Sequence, residues 1–290
     1  MPGTDSMQEL DTKAETLLAG VREDYQSGAT QLASRTLNEL LWYLDDVNPD
    51  AETLSRLISE LRAARPSMIV IGNALGMVRE RWAEAPDRPR QAILDTLRQL
   101  ENAGMAITRH ARSQLPENPV LMTHSASSVV LALFRALADA GEPFSVICTQ
   151  SSPGFEGHIL ARALNDLAVP VTLITDAQMG VFVASADVVI TGCDTWLTDG
   201  YFVNKVGTGP LALAAQAAGK PFWVLADSFR NSDASHNSAT LEEMPASELK
   251  APEGHWITPR NVYFETVPQQ LVGLRISEQG VFSPPAGPRR

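Results

Sequence analysis

Several short apolar runs in the second half of the chain end in groups able to move protons or hold hydrogen bonds. In order, the polar endings are Thr123-His124-Ser125, Thr149-Gln150-Ser151, Asp176, Cys193-Asp194 and Asp227-Ser228. In a parallel sheet such endings converge on one crevice, and that is where a ligand site is expected. Asp194 is the foremost acid–base candidate, because a carboxylate in a water-poor cleft can have its pKa raised toward neutrality. Two readings of His124 stand, a general acid–base group or a structural hydrogen-bonder. Ser125 precedes a helix, so it is either a helix cap or a ligand contact. A hydrolase of the Ser-His-Asp kind is disfavoured. The chain has no Gly-x-Ser-x-Gly elbow, and adjacent His124 and Ser125 do not make a nucleophile–base pair. Cys193 is read as a small packing residue or a reactive thiol, and Cys148, inside an apolar run, as packing.

A second constellation lies between the apolar run Val188-Val189-Ile190 and an alanine- and leucine-rich helix expected from Gly209-Pro210. It holds Asp194, Asp199, Asn204, Lys205, Gly207 and Thr208. Free amides at a helix start, with Lys205 and the Thr208 hydroxyl beside them, suit a phosphate or another anion. The competing reading is an ordinary strand–helix turn capped by its aspartates. No Walker-type spacing is present.

The elements that must position these groups change character along the chain. Up to about residue 115 the apolar spacing is helical throughout. Helices are expected over Lys13–Asp24, Thr30–Asp45 (Leu37, Leu40, Leu41 and Leu44 on one face), from Asp50 (Leu54, Leu57, Ile58, Leu61), up to Trp82, and over Arg90–Gln114. Beyond Leu115-Pro116 short apolar runs alternate with helical stretches, the mark of βαβ units. Strands are expected at Val120–Thr123, Phe144–Thr149, Val171–Ile174, Val188–Thr191, Phe222–Leu225 and Val262–Glu265. Helices are expected at Ser127–Ala140, Gly157–Leu167, Ala177–Ala184 and Pro210–Ala218. The polar segment Asn231–Pro259 reads as a long surface loop or lid. The expected fold is therefore α/β: an N-terminal helical domain (1–115), a Rossmann-like parallel-sheet domain (116–282) and a disordered tail (283–290).

Composition narrows the function. A formal net charge of −11 over 290 residues argues against a broad nucleic-acid or membrane surface. No apolar stretch is long enough to span a bilayer, and no signal peptide is read at the N-terminus. Two cysteines make neither a disulfide framework nor a zinc-ligand spacing, which fits a cytoplasmic protein. No metal and no cofactor is expected.

The order of these motifs resembles the initiation factor 2B-like family. The matching runs are Leu121-Met122-Thr123-His124-Ser125, Thr149-Gln150-Ser151-Ser152-Pro153 with Gly157, Asp176-Ala177, Gly192-Cys193-Asp194 and Asn204-Lys205-Val206-Gly207-Thr208. Pro221-Phe222-Trp223-Val224 with Asp227-Ser228-Phe229 fits as well, and weaker matches lie at Ser27-Gly28-Ala29 and Arg65-Pro66-Ser67-Met68. The resemblance covers most of residues 20 to 280. That family includes regulatory subunits of the exchange factor for eukaryotic initiation factor 2, methylthioribose-1-phosphate isomerase and ribose-1,5-bisphosphate isomerase. It implies a helical domain on a Rossmann-like domain of the coenzyme A transferase-like kind, assembled as homodimers or higher oligomers. It implies a phosphorylated sugar or nucleotide held between the strand ends and the helical domain. In the isomerases a cysteine after Thr-His and an aspartate after Gly-Ala do the chemistry; here these positions hold Ser125 and Asp194. The ligand-lining positions carried over are Asn204, Lys205, Gly207, Thr208, Gly28, His124 and Gln150. Two departures matter. Ser125 cannot ionise as a tuned thiol does, and Gln150-Ser151-Ser152-Pro153 replaces the isomerases' Glu-x-Arg-Pro. Both favour a binding or assembly subunit over an isomerase, whereas Asp194, often absent from regulatory subunits, favours the reverse.

Overall fold

The computed structural model describes residues 10–24, 27–239, 241 and 243–283. The expectation for residues 284–290 of the tail lies outside them. The chain divides into two compact units, Met1–Glu101 and Asn102–Arg290, with the division inside one long helix.

The first unit is helical because its apolar residues repeat every three or four positions. It contains α1 (Thr12–Arg22), α2 (Ala29–Val47), α3 (Ala51–Ala64), α4 (Ile69–Glu84) and most of α5 (Pro89–Arg112). Asp11 caps α1 through the amides of Lys13 and Ala14, and also accepts a 2.6 Å hydrogen bond from the Tyr43 hydroxyl. Asp50 caps α3 through the Thr53 amide, as its place before an apolar run predicts. Leu32, Leu37, Leu40 and Leu41 of α2 and Leu54, Leu57, Ile58 and Leu61 of α3 are buried; Leu44 is only partly so.

The second unit is built on a seven-stranded sheet in the order β11-β10-β7-β4-β1-β2-β3. Its strands are β1 (Val120–Thr123), β2 (Ser145–Thr149), β3 (Val171–Ile174), β4 (Val188–Thr191), β7 (Phe222–Leu225), β10 (Leu274–Ser277) and β11 (Gly280–Phe282). All neighbours are parallel except β10 with β11. Alternate strand residues feed two cores, so both faces are apolar and the strands read as continuous hydrophobic runs. Leu121, Val146, Val188 and Ile190 pack with α6 (Ser128–Asp139), α7 (Glu156–Asp166) and the end of α5. Met122, Ile147, Val189 and Val224 pack with α9 (Thr208–Ala217) on the other face. Among the described residues no helix is long and apolar enough to cross a membrane.

Three sequence expectations need correction. The supposed polar loop after Asp194 is a hairpin, β5 (Thr195–Leu197) and β6 (Tyr201–Lys205), joined with β8 (Asn231–Ser232) and β9 (Phe264–Pro268) in a second, four-stranded sheet. Asp199-Gly200, with Gly200 at φ +88°, is the turn signal that could have revealed it. The strand expected at Val262–Glu265 starts at Phe264 and belongs to this small sheet. The parallel strand beyond β7 is β10, whose Arg275 and Ser277 obscure its apolar pattern. The helix expected at Ala177–Ala184 is a single α-turn, α8 (Met179–Phe182), flanked by 3-10 turns.

Candidate functional site

The chain runs from β1 outward to β2 and β3, then returns to β4 on the other side of β1. The ends of β1 and β4 therefore flank a topological switch point, the usual ligand crevice of an open parallel sheet. Ser125 follows β1 and Asp194 follows β4, so the two candidate catalytic residues stand on either side of it.

Around β1 and β2 the polar groups form one closed network. His124 is buried, and its Nε2 lies 2.8 Å from the Val206 carbonyl. A carbonyl only accepts, so Nε2 carries the proton. Nδ1 then accepts from the Thr149 hydroxyl at 2.7 Å. Ser151 Oγ lies 3.1 Å from Thr149 Oγ1 and accepts from the Ser125 amide at 2.8 Å. The Asp176 carboxylate takes the amides of Ser151 and Ser152 at 2.9 and 2.8 Å. Burial pushes the His124 imidazole below its ordinary range, against the opposing pull of the Val206 carbonyl, Asp176 and Glu156. A neutral imidazole with both nitrogens engaged ties β1, β2 and the turn before α9 together; its structural reading is the one the geometry supports. Ser125 and Ser151 adopt left-handed backbone conformations, at φ +64° and +60°. Gln150 continues β2 through its amide, which donates to Ile174 at 2.7 Å.

The Asn-Lys-x-Gly-Thr turn is likewise satisfied from within. The Thr208 hydroxyl donates to the Lys205 carbonyl at 2.6 Å and accepts from the Asn204 side-chain amide at 2.9 Å. Gly207, at φ +105°, sits where a Cβ would lie 2.7 Å from His124 Nε2, so no other residue fits. Lys205 is buried and pairs at 2.5 Å with Glu156 on the first turn of α7, its ammonium 3.4 Å above the Tyr263 ring. The amides of Gly207 and Gly209 donate to Glu265 Oε1 at 2.7 and 2.9 Å. The expectation that these amides await a phosphate is thus corrected: a carboxylate from β9 already occupies the start of α9. Glu265→Ala should cost about 1–2 kcal/mol by freeing two helix-start amides. Inorganic phosphate should restore part of the lost melting temperature in that variant, beyond any shift it gives the wild type.

Asp194 stands beside a buried cation. Arg230 NH1 donates to the Cys193 carbonyl at 2.5 Å and lies 4.0 Å from Asp194 Oδ1, while its Nε lies 3.3 Å from Asp227 Oδ2. Burial works against the Arg230 charge, and Asp227 and Asp194 outweigh it, so the guanidinium stays charged. Asp194 thus lies beside a buried positive charge. Cys193 is buried, and burial pushes its thiol well above the ordinary range, which suits packing rather than reaction. Cys148 is buried too, its thiol pushed up to about 11.

The sequence-derived residues of the second unit thus gather at the sheet's C-terminal edge and the adjoining turn. Gly28 belongs to the first unit, where it is the N-cap of α2. Glu156, Tyr263, Arg230 and Glu265 were not foreseen. Glu156 and Arg230 adjoin matched runs without belonging to them, Tyr263 and Glu265 lie in a segment with none, and each reaches the site only through pairing across the fold. Among the described residues no cluster of His, Cys, Asp and Glu could hold a metal ion.

Comparison with known proteins agrees with this architecture. The sequence profile described as the Initiation factor 2 subunit family matches residues 12–284. A putative translation initiation factor eIF-2B subunit 2-like protein of Pyrococcus horikoshii is 32% identical over 273 residues, covering 93% of this chain and 96% of the relative. Ribose 1,5-bisphosphate isomerase of Archaeoglobus fulgidus is 28% identical over 268 residues, covering 89% and 85%. The crystal structure of the Pyrococcus horikoshii OT3 translation initiation factor eIF-2B superposes with a TM-score of 0.81 at 30% identity, over 95% of this chain and 98% of that one. The 5-methylthioribose 1-phosphate isomerase of the same organism superposes at 0.79 with 19% identity, over 94% and 85%, a likeness of fold. This chain belongs to the initiation factor 2 subunit family.

Proposed function

We propose that this protein is a ligand-binding or assembly subunit of its family, one that takes a phosphorylated sugar or nucleotide at the strand-end crevice without isomerising it. The observation that carries the reading is that none of Ser125, Cys193 and His124 is suited to shuttle the second proton. Opening a sugar ring and moving a proton between neighbouring carbons needs both an acid and a base. Ser125 has a hydroxyl where the isomerases are expected to have a thiol, Cys193 is buried with its thiol protonated, and His124 is locked and neutral. Asp194, beside Arg230, then serves as an acceptor for sugar hydroxyls. Lys205 holds the ligand's phosphate in exchange for Glu156. Relatives named as eIF-2B-like support a non-enzymatic role. The tetrameric eIF2B-beta2-delta2 complex of C. thermophilum, a neighbour in fold, is in keeping with assembly into an oligomer.

A divergent aldose–ketose phosphate isomerase is the second reading. It is favoured by Asp194 at the switch point and by relatives named ribose 1,5-bisphosphate isomerase. One screen separates the two. Pentose phosphates, pentose bisphosphates and nucleoside monophosphates are tested by thermal shift, and each stabilising compound is followed by NMR for conversion. Stabilisation without conversion, weakened in Lys205→Ala, is the expected result. A ketose product that disappears in Asp194→Asn would establish the isomerase instead.

A further inference from the structure

A hollow of about 270 Å³ opens at the C-terminal ends of β7 and β10, on the same edge of the sheet as Asp194. Its walls include Trp196, Ser228, Asn231, Arg275, Ser277 and Gln279. Arg275 is the one charged residue among those that line it. Its guanidinium lies 4.3 Å from the centre of the Trp196 ring and donates to Asn231 Oδ1 at 2.6 Å. Its Nε is buried with no hydrogen-bond partner.

Glu278 and Asp227 are near enough to favour the Arg275 charge, but their hydrogen bonds go to other groups. Both Glu278 oxygens accept from the Ser228 amide, at 3.2 and 3.1 Å, and Asp227 faces Arg230. A partly buried guanidinium with an unpartnered Nε and no carboxylate in ion-pair contact is costly for a fold, and an anion relieves it. Two hydroxyls stand ready beside it. Ser277 Oγ accepts from the Gln279 amide at 3.1 Å, which leaves its proton to donate, and Ser228 lines the same wall. The volume suits a group of a few heavy atoms rather than a nucleotide.

We propose that this hollow is a binding site for a small oxyanion, a phosphate or carboxylate group, which pairs with Arg275 against the Trp196 face and accepts hydrogen bonds from Ser228 and Ser277. The site is separate from Lys205, which has Glu156 as its partner, and it does not depend on the crevice binding a sugar phosphate.

The test is calorimetric titration of the whole chain with inorganic phosphate and, separately, with malonate. Wild type, Arg275→Gln, Arg275→Lys and Lys205→Ala are compared, with melting curves confirming that each is folded. Saturable binding of at least one anion is expected. Arg275→Gln should weaken it about tenfold or more, Arg275→Lys should weaken it less, and Lys205→Ala should leave it intact. Preference for phosphate or for malonate then identifies the phosphoryl or the carboxylate source. Absence of binding by both anions, or binding lost only in Lys205→Ala, overturns the proposal. Should Arg275→Gln not fold, Ser228→Leu, which fills the hollow, replaces it; undiminished binding in that variant also overturns the proposal.

Discussion

Gly157→Ala should be among the most destabilising single substitutions in the second unit, costing about 3 kcal/mol or more. A Cβ at this position would lie 1.7 Å from the Thr149 carbonyl oxygen and 2.8 Å from the Thr149 carbonyl carbon. Both are backbone atoms of a central strand, so no rotamer change relieves the clash; α7 must move away from β2. The damage reaches the site directly. The Thr149 hydroxyl hydrogen-bonds His124 Nδ1, and Glu156, the partner of Lys205, is the residue before Gly157. Gly20→Ala is the control. A Cβ there meets nothing within 4 Å, and in the last turns of α1 alanine should add up to about 1 kcal/mol. Urea titrations followed by near-ultraviolet circular dichroism would measure both. Because the chain has two compact units, separate transitions should be fitted separately. A Gly157→Ala midpoint equal to that of the wild type would show that the helix–strand contact is looser than the backbone geometry requires.

Arg230→Met should cost about 3–5 kcal/mol, the range for breaking a buried ion pair from one side. Arg230 and Asp227 are 6% and 5% exposed, and the methionine would leave the Asp227 carboxylate buried without its cation. It would also take a donor from the Cys193 carbonyl, which fixes the backbone just before Asp194. Asp227→Asn combined with Arg230→Met should recover a substantial part of the loss, since the stranded charge is the main cost and the two sites are coupled. Urea midpoints for the two single variants and the double variant give that coupling. A single Arg230 variant within about 1 kcal/mol of wild type would mean that water reaches Asp227 once the guanidinium is gone. The same variant bears on ligand binding, because the cation beside Asp194 is lost with it.

The sequence by itself determined the change from helical to alternating strand and helix. It also placed the strand-end residues His124, Ser125, Gln150, Asp176 and Asp194, and the family to which they belong. The reason is local. The strands are buried on both faces, so they read as continuous apolar runs, and in a parallel sheet the residue after each run must stand at one edge. The Asp50 cap and the leucine stripes of α2 and α3 were legible for the same reason.

What those residues have as partners could not be read in the same way. Lys205 and the Gly207–Gly209 amides looked like a vacant anion site because the sequence lists donors without showing which acceptors arrive from elsewhere. Glu156 comes from 49 positions away and Glu265 from 58 and 56. His124 looked able to exchange protons until burial favoured its neutral form and two hydrogen bonds engaged both ring nitrogens. The second sheet was hidden because its strands are short and its pairing joins residues as far apart as Tyr201 and Pro268. Residue type and spacing decided where polar groups stand along the edge of the sheet. Only the tertiary structure decided which charges were already matched, because a charge is neutralised by whatever packs against it, however far away that residue lies in the chain.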